Sequence, residues 1–173
     1  SLELKHFLDV YQWIEYFNLR KIQNAGVLFC GDGLGVRTFA MRAMGIHACG
    51  FDISEWAVKN NIGQFNLTYY WKEDITQYIP RNELWTLVVC YDILEHLTKE
   101  ELDKALLNIY RYGEKFIFSI PFKDENPDLY KDNTHKIFES REWWLKKLGE
   151  YFDIESTPEW FNFHQQIIIG KKK

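Results

Sequence analysis

Two sets of residues in this sequence have the types and spacing that chemistry needs. The first lies in VLFCGDGLG, residues 27–35, where Gly31, Gly33 and Gly35 alternate directly after an apolar run and just before a helical one. Glycine lets the backbone approach a ligand closely, and a helix start offers free N–H groups, so this strand, turn and helix open a nucleotide-type site. Acids follow at the ends of the next two strand-like runs: Asp52 in GFDIS, 21 positions after Gly31, and Asp74 in WKEDIT. A carboxylate placed there can accept both hydroxyls of a ribose. The second set lies in DILEH, which puts Asp92, Glu95 and His96 where a fourth strand runs into a turn, and in DNTHKIFESREWW, which supplies His135 after the fifth. Two imidazoles and two carboxylates can hold a divalent cation, with Mn, Fe, Co or Zn favoured over Mg. Alternatively, His135 can act as a general base without metal, Glu95 and His96 then serving as hydrogen-bonding supports.

The glycine spacing narrows the ligand. A dinucleotide fingerprint needs GxGxxG, and position 36 is Val, so the pattern is GxGxG. Asp32 sits inside the turn, where its charge opposes a pyrophosphate and suits an uncharged or cationic moiety. An acid at one strand end is often only a helix cap, a role Ser54 already fills; acids after both strands favour a nucleoside site.

These residues need elements to position them. Leu4, Phe7, Leu8, Tyr11 and Ile14 recur at helical steps, which predicts an amphipathic helix within residues 1–22, a possible lid. β-rich runs at 27–32, 47–53, 67–73, 85–91 and 115–121 alternate with helix-like stretches, the signature of a parallel sheet covered on both faces. Thr98 and Glu101 form a capping box for a helix over 98–112, with Leu102, Ala105, Leu106 and Ile109 inward and Gly113 as its stop. Another helix starts after Ser140 and turns Trp144, Leu145 and Leu148 inward. FDIESTPEW and FHQQIIIG read as strands with a short connection, hence an antiparallel hairpin. The prediction is a doubly wound α/β sheet of five parallel strands plus a C-terminal antiparallel hairpin, seven strands in one domain over 1–173.

Composition agrees with one globular unit. The chain has 173 residues, 46% hydrophobic and 27% charged, and its net charge of −4 gives no global pull toward nucleic acid or anionic membrane. Cys30, Cys49 and Cys90 lie in apolar runs without CxxC spacing, which reads as reduced core thiols in a cytoplasmic protein. No apolar run approaches the roughly 20 residues that span a bilayer. His6, His47 and His164 read as structural or surface residues, and Trp143, Trp144 and Trp160 as sheet packing or an acceptor-pocket wall.

Taken in order, VLFCGDGLG, GFDISEWAVKN, KEDI and WTLVVCYDILEHL resemble the first four motifs of class I S-adenosylmethionine-dependent methyltransferases, over residues 25 to 170. The resemblance implies a Rossmann-like fold and that cofactor. Gly31 and Gly33 then approach its methionine part, Asp52 holds the ribose, Ile53 packs on the adenine, Asp74 with Ile75 meets the adenine edge, and Tyr91 sits near the methyl group. The family usually carries an acid two residues before the first glycine; here that residue is Phe29, and Asp32 is the available substitute. The acid-x-x-Glu-His pattern with a later His also resembles a metal-assisted subgroup that methylates hydroxyls, the small-RNA 3′-end and quinone-biosynthesis O-methyltransferases. By that resemblance Asp92, Glu95, His96 and His135 are metal ligands. The expected activity is methyl transfer to oxygen, or nitrogen, of a small-molecule or nucleotide-like acceptor. The rivals are an NAD-type oxidoreductase, disfavoured by the glycine spacing, and a non-catalytic cofactor-binding or adaptor protein, for which Phe29 speaks.

Overall fold

A computed structural model describes residues 4–64, 66, 68–80, 83–125, 132–161 and 166–173. Asn126, Pro127 and Asp128 of the loop after the fifth strand, and His164, lie outside the described residues. Among the described residues seven strands form one sheet: β1 (Gly26–Cys30), β2 (His47–Asp52), β3 (Tyr70–Lys72), β4 (Trp85–Tyr91), β5 (Gly113–Ser119), β6 (Phe152–Glu155) and β7 (Ile167–Lys172). Their order is β3-β2-β1-β4-β5-β7-β6; β1 to β5 pair in parallel, and β7 runs antiparallel to both β5 and β6. The chain turns one way from β1 to β2 and the other way at β4, so the carboxyl ends of β1 and β4 flank the switch point at which open α/β sheets bind ligands.

Alternation along the strands splits the core in two. Leu28, Cys30, Val88, Cys90, Phe116 and Phe118 pack on one face beneath α4 (Lys99–Tyr112) and α5 (Arg141–Gly149). Val27, Phe29, Leu87, Val89 and Ile117 face α1 (Leu4–Tyr16) and α2 (Val36–Ala43). A fifth, one-turn helix, α3 (Glu55–Lys59), starts at Ser54, whose Oγ accepts the Ala57 N–H at 3.2 Å. Both halves of the capping box at Thr98 and Glu101 form. In α5, Trp144 and Leu148 are fully buried while Leu145 is only partly so.

Four details depart from the sequence reading. The helix α1 forms, but its buried stripe is Val10, Trp13 and Ile14, continued by Phe17, and it is anchored to the core by these residues; Leu4, Leu8 and Tyr11 are exposed. Gly113 caps α4 as expected, but in an extended rather than a left-handed conformation: its φ is −154° and the chain passes straight into β5. A side chain there would meet Val88 Cγ2 at 2.5 Å, so glycine is required by close strand packing. The strand expected over 67–73 is confined to Tyr70–Lys72. In the hairpin, β6 ends at Glu155 and β7 begins at Ile167, so the connection is longer than the sequence pattern implies.

Candidate functional site

The turn after β1 is built from left-handed glycines. Gly31 (φ +67°), Gly33 (+55°) and Gly35 (+73°) all occupy the region that L side chains rarely adopt, and a Cβ on Gly31 would stand 2.6 Å from Ile93 Cδ1. Asp52, at the end of β2, braces this turn: its Oδ2 accepts the Gly33 N–H at 2.9 Å and its Oδ1 the Ser54 N–H at 2.8 Å. Each oxygen keeps a lone pair, enough for two further donors such as a vicinal diol. The Tyr70 hydroxyl donates to the Gly33 carbonyl at 2.7 Å from the other side.

Asp32 turns away from this space. Its Oδ2 accepts the N–H and the hydroxyl of Thr38, both at 2.8 Å, and its Oδ1 lies 3.9 Å from Arg37. Burial pushes its carboxyl up to about 6 against the pull of Arg37 and Thr38. The carboxylate therefore caps the start of α2 from within.

A cavity of about 390 Å³ opens beside Gly31 and the ends of β2 to β4, lined by Asp52, Ile53, Asp74, Ile75, Asp92 and Ile93 among others, with His96, Leu97 and Lys136 toward its far side. Ile53 is 64% exposed, an apolar wall next to a carboxylate. Asp74 Oδ1 takes the N–H and hydroxyl of Thr76, at 2.9 and 2.8 Å, which fixes the turn after β3. Behind that turn, Asn108 on α4 donates to the Ile75 carbonyl at 2.9 Å, and buried Glu73 accepts Trp71 Nε1 at 2.6 Å and the Tyr112 hydroxyl at 3.0 Å.

Glu95 and His135 converge next to His96, which itself lines the cavity. A short 3₁₀ turn, Leu94–His96, follows β4. The Glu95 carbonyl accepts the N–H groups of Lys136, at 2.8 Å, and Ile137, at 3.0 Å, which brings His135 beside His96 with ring centroids 4.8 Å apart. One ligand atom each from Glu95, His96 and His135 lie within 4.8 Å of one another. Glu95 is 1% exposed, its Oε2 has no hydrogen-bond partner, and burial, reinforced by Asp92 and Asp132, pushes its carboxyl up to about 8. His135 Nε2 faces Asp132 Oδ2 at 3.5 Å, and His96 Nδ1 contacts the Thr134 carbonyl at 3.2 Å. Asp92, expected as a fourth member, stands apart from this cluster: with φ +55° it lines the cavity wall, and its Oδ1 accepts the Ser119 hydroxyl at 2.8 Å.

Tyr91 turns from the cavity to the α1/α2 face, where the Arg37 guanidinium stacks 3.5 Å from its ring centroid and Trp13 lies at 6.2 Å. Arg37, Tyr70, Glu73, Ile93 and Lys136 were not read as site residues from the sequence. Lys136 adjoins His135, Ile93 follows Asp92 and Glu73 precedes Asp74, so adjacency was the available signal; the contacts of Arg37 with Tyr91 and of Tyr70 with Gly33 join residues distant in sequence and carry none.

No family model and no curated protein matches the chain. Solved structures do. A small RNA methyltransferase, HEN1, superposes with TM-score 0.71 and 17% identity over 94% of this chain, which spans a quarter (25%) of that protein's length. Magnesium protoporphyrin IX methyltransferase from Synechocystis PCC 6803, with S-adenosylhomocysteine bound, gives TM-score 0.68 and 19% identity over 98% of this chain and 84% of that one. CalS10, an amino pentose methyltransferase from Micromonospora echinaspora with S-adenosylmethionine bound, gives 0.73 and 9% over 96% and 92%. With the strand order, the glycine turn and the cavity at the switch point, these superpositions establish that the chain has the fold of the class I S-adenosylmethionine-dependent methyltransferases.

Proposed function

We propose that this protein is an S-adenosylmethionine-dependent methyltransferase acting on an oxygen, or a nitrogen, of a small-molecule or nucleotide-like acceptor. The observation that carries the reading is one cavity whose lining includes both the acids after β2 and β3, fit to hold a nucleoside, and His96, which stands beside Glu95 and His135. Asp52 would accept the two ribose hydroxyls on its remaining lone pairs, Ile53 and Ile75 would bracket the base, and Asp74 would meet its edge. The glycines at 31, 33 and 35 let the backbone lie against the rest of the cofactor, and Asp32 holds the turn from behind. S-adenosylmethionine supplies a methyl group already activated by its sulfonium. The protein has then to align the acceptor and remove its proton.

His135 is the base in this reading, with Asp132 beside its ring. Glu95 fits that role poorly, because a carboxyl titrating near 8 is mostly protonated at neutral pH. His96 supports His135 by ring contact. A second reading is favoured by the unpartnered Oε2 of Glu95: two imidazoles and a carboxylate suit Mn, Fe, Co or Zn. Glu95, His96 and His135 would hold such an ion, which would polarise an acceptor hydroxyl. Asp92 contributes to the cavity wall in either case. Three free, buried cysteines suit a reducing compartment, and we place the protein in the cytoplasm on that ground. No helix of the described residues is long and apolar enough to cross a membrane.

Titration calorimetry tests the cofactor. S-adenosylhomocysteine is expected to bind in the micromolar class and NAD not at all. Asp52→Ala should weaken binding by about 1.5–3 kcal/mol, the range for hydrogen bonds to a charged group. Tight NAD binding, or an Asp52→Ala protein that binds as well as the parent, overturns the reading.

A further inference from the structure

Arg37 is a partly buried cation with an unpartnered Nε at the edge of the glycine turn. It is the second residue of α2, two positions after Gly35, and its side chain is 12% exposed. Its guanidinium carbon sits 3.5 Å from the Tyr91 ring centroid, its Nε is buried without a hydrogen-bond partner, and the acid oxygen it pairs with, Asp32 Oδ1, is 3.9 Å away and also lacks one. At that distance the two attract without hydrogen bonding. Five N–H groups in a planar fork match a carboxylate in bidentate fashion, so this one is an incomplete receptor.

Its location tells which part of a ligand it meets. The sheet order β3-β2-β1-β4 lays the site out in sequence: Asp74 and Ile75 after β3, Asp52 after β2, Gly31 after β1 and Tyr91 at the end of β4. A ligand with its base over β3 and its ribose over β2 sends the remaining chain past Gly31 toward Tyr91 and Arg37. The acid often found two residues before Gly31 in proteins of this pattern is absent. Phe29 is 1% exposed there and packs on Trp13 at 6.2 Å. The Tyr91 phenol is raised by burial, lowered by Arg37 and raised by Asp9 and Asp92.

We infer that Arg37 is the receptor for the α-carboxylate of the cofactor's amino-acid end, so that recognition of that charge comes from the start of helix α2. The inference rests on the S-adenosylmethionine reading above. It assigns the Tyr91 contact a positioning role: the ring holds the guanidinium in place.

The experiment compares two probes by calorimetry, S-adenosylhomocysteine and 5′-methylthioadenosine, which shares the nucleoside and the sulfur but has no amino acid. The wild type is expected to prefer S-adenosylhomocysteine. Arg37→Met should weaken S-adenosylhomocysteine by about 10- to 100-fold and leave 5′-methylthioadenosine within about twofold. Arg37→Lys, which keeps the charge and loses the fork, should show a smaller loss for S-adenosylhomocysteine alone, and it carries the test if Arg37→Met does not fold. Equal losses for both probes, or none for either, overturn the inference and leave Arg37 a brace of α2. A wild type that binds both probes equally also overturns it while the cofactor reading stands. A wild type that binds neither removes both.

Discussion

Glu95 offers a measurement that depends on a single buried proton. Its carboxyl is pushed from the ordinary 4.5 to about 8, because it is 1% exposed and Asp92 and Asp132 add negative charge nearby. In the unfolded chain the group ionises near its ordinary value, so between about pH 4.5 and 8 the native state holds more protons than the unfolded state. The sign follows: the stabilisation from a neutral Glu95 is complete below pH 4.5, declines as the pH rises and is lost above 8. Three and a half units at 1.36 kcal/mol each set a ceiling near 5 kcal/mol, and about 3–5 kcal/mol is the expected loss between pH 5 and pH 8.5. Glu95→Gln keeps the shape without the ionisation. Urea denaturation in the presence of a chelator, at several pH values in that window, should show the wild type falling relative to Glu95→Gln by that amount. The comparison cancels Asp32, which titrates in the same direction between 3.8 and about 6. If the two proteins keep a constant stability difference from pH 5 to 8.5, the carboxyl is not held neutral and the account of the cluster is wrong. Adding Mn or Co at pH 8 should restore wild-type stability and leave Glu95→Gln unmoved if the metal-holding reading applies.

Two further outcomes are expected. His135→Ala should lower turnover by about 10²- to 10⁴-fold without changing cofactor affinity. Insensitivity of wild-type activity to chelator marks His135 as the base; abolition by chelator and rescue by Mn or Co marks it as a ligand, and full activity of His135→Ala in chelator refutes both roles. Gly31→Ala forces an L residue to φ +67° and a Cβ to within 2.6 Å of Ile93. Urea midpoints should register about 1–2 kcal/mol for the backbone alone, with the clash added, and Ile93→Ala in the same chain should return only the clash; a Gly31→Ala protein as stable as the parent counts against the described turn.

What the sequence disclosed was local. The capping box at Thr98 and Glu101, the Ser54 and Ser140 caps and the glycine turn each involve residues a few positions apart, and each forms as read. The α1 helix was legible as a helix but not in its orientation. It has two apolar stripes, and only contact with Phe29 and the rest of that face selects the one through Val10, Trp13 and Ile14. Gly113 does stop α4 as read, but the reason it must be glycine, its close approach to Val88, shows only once the neighbouring strand is known. In the site, Asp52 and Asp74 were visible because strand ends recur in a parallel sheet. The hydrogen bond from Tyr112 to Glu73 and the stack of Arg37 on Tyr91 join residues 39 and 54 positions apart, and nothing in the chain announces such partners.

The double hydrogen bond at the Glu95 carbonyl has a consequence for how this scaffold can change. It fastens Lys136 and Ile137 directly to the 3₁₀ turn, while the Lys123 N–H to the Glu139 carbonyl at 3.0 Å and the Arg141 N–H to Asp124 Oδ1 at 3.0 Å close the base of the same excursion. The spacing of His96 and His135 is therefore set in part by main-chain ties immediately after His135. A change elsewhere in the protein that loosened the Lys136 and Ile137 ties would part the two imidazoles without touching either ring.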